Sequence, residues 1–102
     1  MFQIVHANDL RNNGMAVGDN IPDTGLLNKW LRWIDPKLRE LPQKYMIEIR
    51  YHDLPEHDTF EISLSKKAAT RRRLTSVLKR NSFQVQPFNA PGMGQIGIYV
   101  TL

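Results

Sequence analysis

The C-terminal stretch SKKAATRRRLTSVLKRNSFQVQPFNAPGMGQIGIYVTL, residues 65–102, carries the clearest structural signals of this 102-residue chain. Ser65 is a suitable N-cap for a helix over residues 66–80, and Asn81 is a suitable residue to end that helix. After the helix come two segments that favour strands, separated by the turn sequence Ala-Pro-Gly-Met-Gly: residues 83–88 and residues 95–102. The stretch therefore predicts a helix followed by an antiparallel hairpin.

Charge is distributed very unevenly along the chain. Residues 1–61 contain seven basic and all ten acidic residues, whereas residues 62–102 contain seven basic residues and no acidic one. The net charge of +4 is therefore the sum of −3 over residues 1–61 and +7 over residues 62–102. All seven C-terminal cations lie within residues 66–80, and such an asymmetry is typical of proteins with an anionic partner.

On a helical wheel, the basic segment has a narrow apolar stripe and a broad cationic face. Leu74, Val77 and Leu78 group on one side, and most of the cations point away from them. Lys67 falls near the apolar stripe, so either its stem snorkels or the helix starts a turn later. The predicted contact residues for a nucleic acid or an acidic partner are Lys66, Arg71, Arg72, Arg73, Lys79 and Arg80.

A second helix is predicted in the first third of the chain, where the apolar residues recur on one face. Asp23 or Thr24 would cap this helix. Asp35-Pro36 has the pattern of a cap followed by a first-turn proline, so we expect a new short turn after it. The apolar face consists of Leu26, Leu27, Trp30, Leu31 and Ile34.

Strands and loops account for the rest of the N-terminal part. Phe2–His6 predicts a short strand, and residues 7–24, rich in Asn and Gly, predict a long loop. Apolar and polar residues alternate over Tyr45–Tyr51 and again over Thr59–Leu64. The two segments are therefore expected to pair as an antiparallel hairpin through residues 53–58.

The predicted order of elements is β-α-β-β-α-β-β, which indicates a single α+β domain over residues 1–102. The favoured architecture is a two-layer sandwich, with an antiparallel sheet of about five strands and two helices on one face, a ferredoxin-like variant. The alternative is a winged helix, with residues 66–80 as the recognition helix and residues 83–102 as the wing. It ranks second because a helix-turn-helix needs another helix directly before the recognition helix, where the sequence predicts a strand.

The composition excludes several classes of protein. With no cysteine, the chain has no disulfide, thiol nucleophile or cysteine-based zinc site. Neither a membrane-spanning run nor a signal peptide is visible, so we expect a cytoplasmic protein without membrane contact. No P-loop, dinucleotide-binding glycine pattern or nucleophile elbow occurs, and we expect no cofactor.

The segment His52–Asp58 concentrates two histidines and three carboxylates in the predicted hairpin turn. Such groups could hold a divalent metal for phosphodiester cleavage, through His52, Asp53, His57 and Asp58. Their spacing matches no established zinc pattern, so a solvated acidic turn is the favoured interpretation. We therefore assign no catalytic and no metal-binding residue.

The sequence favours a small non-enzymatic protein that binds DNA or RNA through its basic helix on the phosphate backbone, in a regulatory or accessory role. The alternative is a protein-interaction or inhibitor module whose basic face binds an acidic partner surface. Single-stranded RNA is not expected on the sheet, because only Tyr99 is placed to stack a base. A second copy could pair with an exposed edge strand, either Phe2–His6 or Gln95–Leu102, to form a homodimer.

Overall fold

The described residues form three α-helices and two small antiparallel sheets, so the α+β class is confirmed. The computed structural model describes residues 2–12, 17–22 and 25–102. In chain order the elements are strand β1 (Phe2–Gln3), helix α1 (Ala7–Asn12), strand β2 (Asn20–Ile21), helix α2 (Leu26–Leu38), strand β3 (Ile47–Arg50), a 3-10 turn (Tyr51–Asp53), helix α3 (Leu64–Arg80), strand β4 (Gln84–Ala90) and strand β5 (Gly94–Thr101).

The strands divide between two sheets, which corrects the predicted single sheet of about five strands and its ferredoxin-like order. Strand β1 pairs with β2 alone, with Phe2 opposite Ile21. The larger sheet has the order β3-β5-β4, and the predicted hairpin of β4 and β5 is confirmed. Because β5 lies between two neighbours, the segment Gln95–Leu102 is not an edge to which a second copy could add.

Residues 54–62 coil through turns instead of forming the strand predicted over Thr59–Leu64. The N–H of His57 donates to the carbonyl of Leu54 at 3.2 Å, and the N–H of Thr59 donates to the carbonyl of Glu56 at 3.3 Å. The apolar alternation that suggested a strand has no common buried face, since the side chains of Phe60 and Leu64 are exposed. The predicted hairpin of residues 45–64 is therefore wrong.

The segment predicted as a loop over residues 7–24 contains helix α1 and strand β2. At the start of α1, the N–H of Asn8 donates to Nδ1 of His6 at 3.0 Å. Asp9 in the first turn and Arg11 in the last complement the helix dipole. The helix has only six residues, too few for a periodic apolar pattern to reveal it.

Helix α2 runs without a break through Asp35-Pro36 to Leu38, so the predicted restart of a new turn is wrong. Asp35 is buried within the helix and does not cap a new turn. Its Oδ1 accepts the N–H of Val5 at 2.9 Å, and its Oδ2 accepts Nε–H of Arg39 at 2.8 Å. The carboxylate therefore ties the N-terminal segment to α2. Gly25 occupies the N-cap position, and the predicted caps at residues 23–24 lie outside the described residues.

Helices α2 and α3 and the larger sheet share one hydrophobic core. Trp30 lies in it, fully buried, and donates its Nε1–H to the carbonyl of Pro55 at 2.8 Å, which fixes the turns of residues 54–62 against α2. Helix α3 packs on α2 and on β4. Other fully buried members include Leu31, Ile34, Leu74, Leu78, Ile98 and Val100.

Candidate functional site

The N-terminal end of α3 is defined by Ser63 and not by Ser65, the predicted cap. Ser63 Oγ accepts the N–H of Lys66 at 3.2 Å, the interaction expected of an N-cap. Ser65 lies inside the first turn, with its hydroxyl 3.2 Å from that of Ser63. The helix therefore starts two residues earlier than predicted, which also removes a later start as the explanation of the position of Lys67.

The C-terminal end of α3 is closed by Asn81, as predicted. The side chain of Asn81 is 1% exposed. Its Oδ1 accepts the N–H of Asp19 at 2.9 Å, and its Nδ2 donates to the carbonyl of Val77 at 2.7 Å. The Asn81 carbonyl accepts the N–H of Ala7 at 2.8 Å. The N-terminal segment is therefore docked on the C-terminal end of the basic helix, and its Pro22 also lines a pocket with Lys66 and Arg73.

The side of α3 that faces away from the core is cationic. Leu74, Val77 and Leu78 are buried, as the helical wheel predicted. With 100° of rotation per residue, the opposite side of the helix covers an arc of about 140°. The helix has seventeen residues and is about 25 Å long. We call this side the outer arc; it consists of Ser65, Lys66, Ala69, Arg72, Arg73, Ser76, Lys79 and Arg80.

Four of the five outer-arc cations have no ion pair within the described part of the chain. The exception is Arg80, whose Nε donates to Oδ2 of Asp19 at 2.9 Å. No acidic residue lies on α3 to pair with the others. Their charges therefore remain directed to solvent: Lys66, Arg72, Arg73 and Lys79.

Arg71, a predicted contact residue, is half-buried and lies outside the outer arc. Its guanidinium carbon lies 4.3 Å from the ring centroid of Tyr51, a cation–π contact. One of its terminal nitrogens donates to Nε2 of His57, and its buried Nε has no hydrogen-bond partner among the described residues. Arg71 therefore joins α3 to the segment that follows β3.

Tyr51 shows how this contact changes the local chemistry. Burial raises the pKa of the Tyr51 phenol, and the nearby Arg71 charge and a hydrogen bond from Gln95 partly offset that rise. The Gln95 Nε2 donates to the phenolic oxygen at 2.8 Å. The phenol is thus a neutral acceptor that connects β5 to the 3-10 turn beneath α3.

A groove of about 560 Å³ runs between α3 and the hairpin of β4 and β5. Helix α3 contributes three cations to it, and the hairpin contributes amide and apolar side chains. No carboxylate occurs among the described residues that line it. Sequence reasoning missed the hairpin and 3-10 contributions, because nothing local connects them to the helix. The main lining residues are Tyr51, Arg71, Arg72, Lys79, Gln95 and Ile98.

The His52–Asp58 segment does not assemble a metal centre. His52 is exposed, with Nε2 3.1 Å from Oδ1 of Asp53. His57 instead turns inward, with its ring centroid 5.9 Å from that of Trp30. Among the described residues, no group of three or more His, Asp or Glu side chains is placed to hold a metal ion. The geometry gives no support to the nuclease hypothesis.

The outer face of the sheet has two aromatic rings rather than Tyr99 alone. Phe88 stacks on Tyr99, with ring centroids 4.5 Å apart. Phe88 can reach this position because it lies opposite Gly97, where a Cβ would approach the Phe88 ring to 2.6 Å. The two rings cover each other, and the nearby cation Arg50 is paired with Glu48 at 3.6 Å. This face therefore makes a poor platform for bases.

Comparisons of the chain with protein-family models, with curated proteins and with solved structures found no match. Within the described residues, no helix has the length and apolar character needed to cross a lipid bilayer. The outer arc and the adjoining groove are therefore the features that indicate a function.

Proposed function

We propose that this chain is a small non-enzymatic nucleic-acid-binding protein that docks α3 on the phosphate backbone, in a regulatory or accessory role. The observation that carries the proposal is the outer arc. Four cations there, Lys66, Arg72, Arg73 and Lys79, are solvent-directed and unpaired within the described chain. Unpaired cations along one helix face are the usual means by which proteins neutralise phosphates.

The dimensions of the helix suit a nucleic-acid groove. The outer arc extends along a helix of about 25 Å, and the B-DNA major groove, roughly 12 Å wide, admits an α-helix. Ala69 and Ser76 lie between the cations, and their small side chains would let the helix backbone approach closely. The Arg and Lys side chains would then reach phosphates on both sides of the groove.

The order of elements around α3 supports a winged-helix-like arrangement, the alternative that ranked second from sequence. The hairpin of β4 and β5 follows the basic helix directly, as a wing would, and β3 adds to the free side of β5. Of the residues whose strand pattern counted against this arrangement, 45–64, only Ile47–Arg50 form a strand, and the predicted strand over residues 59–64 does not form. In its place a 3-10 turn and further turns precede α3, where a helix-turn-helix has a full helix.

The groove between α3 and the hairpin extends the cationic surface. Arg72 and Lys79 belong both to the outer arc and to the groove lining, so a strand bound along the arc would pass beside the hairpin. The hairpin side offers the amide of Gln95 and no acidic residue. Because these contacts involve charge and amide groups, the proposal implies little base specificity.

Salt dependence tests the proposal directly. If four cations neutralise phosphates, log K should fall with log salt with a slope near −3.6, and affinity should fall by about two decades between 50 and 200 mM salt. The measurement is fluorescence anisotropy with unrelated duplex and single-stranded oligonucleotides. Absence of binding at 50 mM salt would reject the proposal.

Two variants of equal net charge distinguish binding by the outer arc from a general effect of positive charge. The substitutions Arg72→Gln, Arg73→Gln and Lys79→Gln remove three outer-arc charges and should reduce the slope to about −0.9. The control removes three exposed charges elsewhere, through Lys29→Gln, Lys44→Gln and Arg50→Gln, and has the same net charge. Equal loss of affinity in both variants would show that the outer arc is not the docking face.

The rival function, an interaction or inhibitor module with an acidic protein partner, predicts a different result. It requires that the purified chain does not bind oligonucleotides at 50 mM salt. It also requires the outer-arc variant, and not its control, to lose capture of an acidic protein.

A further inference from the structure

A second cationic site lies at the N-terminal end of α3, on the side away from the outer arc. A pocket of about 610 Å³ opens there between the first turn of the helix and the turns that precede it. It adjoins the groove, because Arg71 lines both. Its principal lining residues are His57, Asp58, Phe60, Leu64, Lys67 and Arg71.

Lys67 contributes one of the two cations of the pocket. Its side chain lines the pocket, and the residue is only 9% exposed. Within the described part of the chain its side chain has no hydrogen bond or ion pair, although its charge contributes to lowering the pKa of Asp58, which lines the same pocket. The ammonium group itself keeps access to solvent at the end of the buried stem, so it is open to an anion.

A second donor group lies one helical turn further along. The Nε of Arg71 is buried and has no hydrogen-bond partner among the described residues, although a terminal nitrogen of the same side chain donates to His57. Lys67 and Arg71 are four residues apart on the helix, and both line the same pocket. The pair matches the charge-assisted hydrogen bonds that phosphate oxygens accept.

The end of the helix adds to this positive site. Ser63 satisfies the N–H of Lys66 through its hydroxyl and the N–H of Lys67 through its carbonyl. The N–H groups of Leu64 and Ser65 have no hydrogen-bond partner within the described chain. Free N–H groups at the start of a seventeen-residue helix favour an anion.

One carboxylate lines the pocket, and it is engaged by a histidine. Asp58 Oδ1 lies 2.9 Å from Nδ1 of His57, and this hydrogen bond lowers the pKa of Asp58. Arg71 donates to the other ring nitrogen, so His57 carries its proton on Nδ1. Lys67 and Arg71 together exceed the charge of Asp58, and the lining keeps a positive excess.

The mouth of the pocket is apolar and aromatic. Phe60 is fully exposed and Leu64 is exposed, although both are large hydrophobic residues. An exposed aromatic ring beside a phosphate-binding group is the arrangement that accepts a nucleotide base. We infer that this pocket binds a nucleoside phosphate, with the phosphate on Lys67, Arg71 and the first turn of α3 and the base stacked on Phe60.

This inference rests on the proposed function, since it assigns a nucleotide to the same protein, but the two can fail separately. The probes are uridine 5′-monophosphate, uridine and inorganic phosphate, titrated into the full chain and followed by amide chemical shifts. We expect the monophosphate to bind at least about tenfold more tightly than uridine and more tightly than phosphate alone. Equal or absent binding of all three would overturn the inference.

Two variants and a control locate the site. Lys67→Met should lose monophosphate binding by about tenfold, because a charge-assisted hydrogen bond to the phosphate is removed, while its circular dichroism spectrum stays that of the parent chain. Phe60→Ala should weaken the binding of the monophosphate and leave the affinity for inorganic phosphate unchanged. Lys44→Met, at an exposed position outside both sites, is the control and should bind the monophosphate normally. Unchanged binding by Lys67→Met would overturn the inference.

Oligonucleotides identify the source of the nucleotide. A single strand with a 5′-phosphate, compared with the same strand bearing a 5′-hydroxyl, should bind more tightly if the pocket takes a strand end. Equal oligonucleotide affinities together with monophosphate binding would identify a free nucleotide as the ligand. The variant with Arg72→Gln, Arg73→Gln and Lys79→Gln should retain monophosphate binding although its affinity for duplex oligonucleotides falls. The two sites can therefore be tested separately.

Discussion

The guanidinium carbon of Arg71 lies 4.3 Å from the ring centroid of Tyr51, so this arginine is held by its own chain. The contact joins the middle of α3 to the 3-10 turn after β3, and the hydrogen bond to His57 adds to it. Arg71 therefore differs from Arg72 and Arg73, its neighbours in sequence, which are exposed. The three consecutive arginines therefore have two roles: Arg71 is a structural contact, and Arg72 and Arg73 are exposed cations.

Replacement of Arg71 should reduce stability. Arg71→Ala removes the cation–π contact and the hydrogen bond to His57, and we expect the free energy of unfolding to fall by about 1–2 kcal/mol. Arg72→Ala, at an exposed position on the same helix, should change it by no more than about 0.5 kcal/mol. Urea unfolding followed by circular dichroism measures both. Identical urea midpoints would contradict the structural role of Arg71.

Alkaline pH should weaken the fold through Tyr51. Burial raises the pKa of its phenol above the unfolded value of about 10, so the folded state retains a proton that the unfolded chain releases. The associated stability is fully present below about pH 10 and is lost as pH rises through the folded pKa. Tyr51→Phe should reduce this loss, measured as the free energy of unfolding between pH 8 and 11.

The exposed Tyr45 provides the control for the alkaline experiment. Tyr45→Phe should leave the pH dependence of stability as it is in the parent chain. An equally steep decline in Tyr51→Phe and the parent chain would show that the Tyr51 phenol is not the group responsible.

Loss of the Asn81 amide should release the N-terminal segment. Asn81→Ala removes the acceptor for the N–H of Asp19 and the donor to Val77, at a position that is 1% exposed. We expect a decrease in the free energy of unfolding of about 2–3 kcal/mol. Asn89→Ala, on the exposed part of β4, should change it by less than about 0.5 kcal/mol. Amide exchange at Asp19 should accelerate only in the Asn81 variant, and unchanged exchange would count against the docking role.

The cap of α3 can be assigned by comparing two serines. Ser63→Ala removes the oxygen that accepts the N–H of Lys66, and it should lower the free energy of unfolding by about 1 kcal/mol. Ser65→Ala, at the residue predicted from sequence, should have an effect below about 0.5 kcal/mol. Thermal or urea unfolding measures the difference. A larger effect at Ser65 would restore the sequence-based cap.

Local patterns succeeded where a residue's role depends on its near neighbours. The apolar stripe of Leu74, Val77 and Leu78 identified the buried side of α3, and the flanking alternation identified the terminal hairpin. The alternation of Phe60, Ile62 and Leu64 failed, because three residues without a common buried face do not specify a strand. Helix α1 was missed since six residues are too few to show a period.

Sequence alone determined that the positive charge of this protein is concentrated on one helix and that a hairpin follows it, since composition and short periodicities are local properties of the chain. The tertiary structure decided which of those charges remain available. Arg71 contacts Tyr51, Arg80 pairs with Asp19, and Lys67 is buried, while their neighbours stay exposed. The physical reason is that these partners come from segments distant in sequence, and only the packing of α3 against them brings the groups within reach of each other.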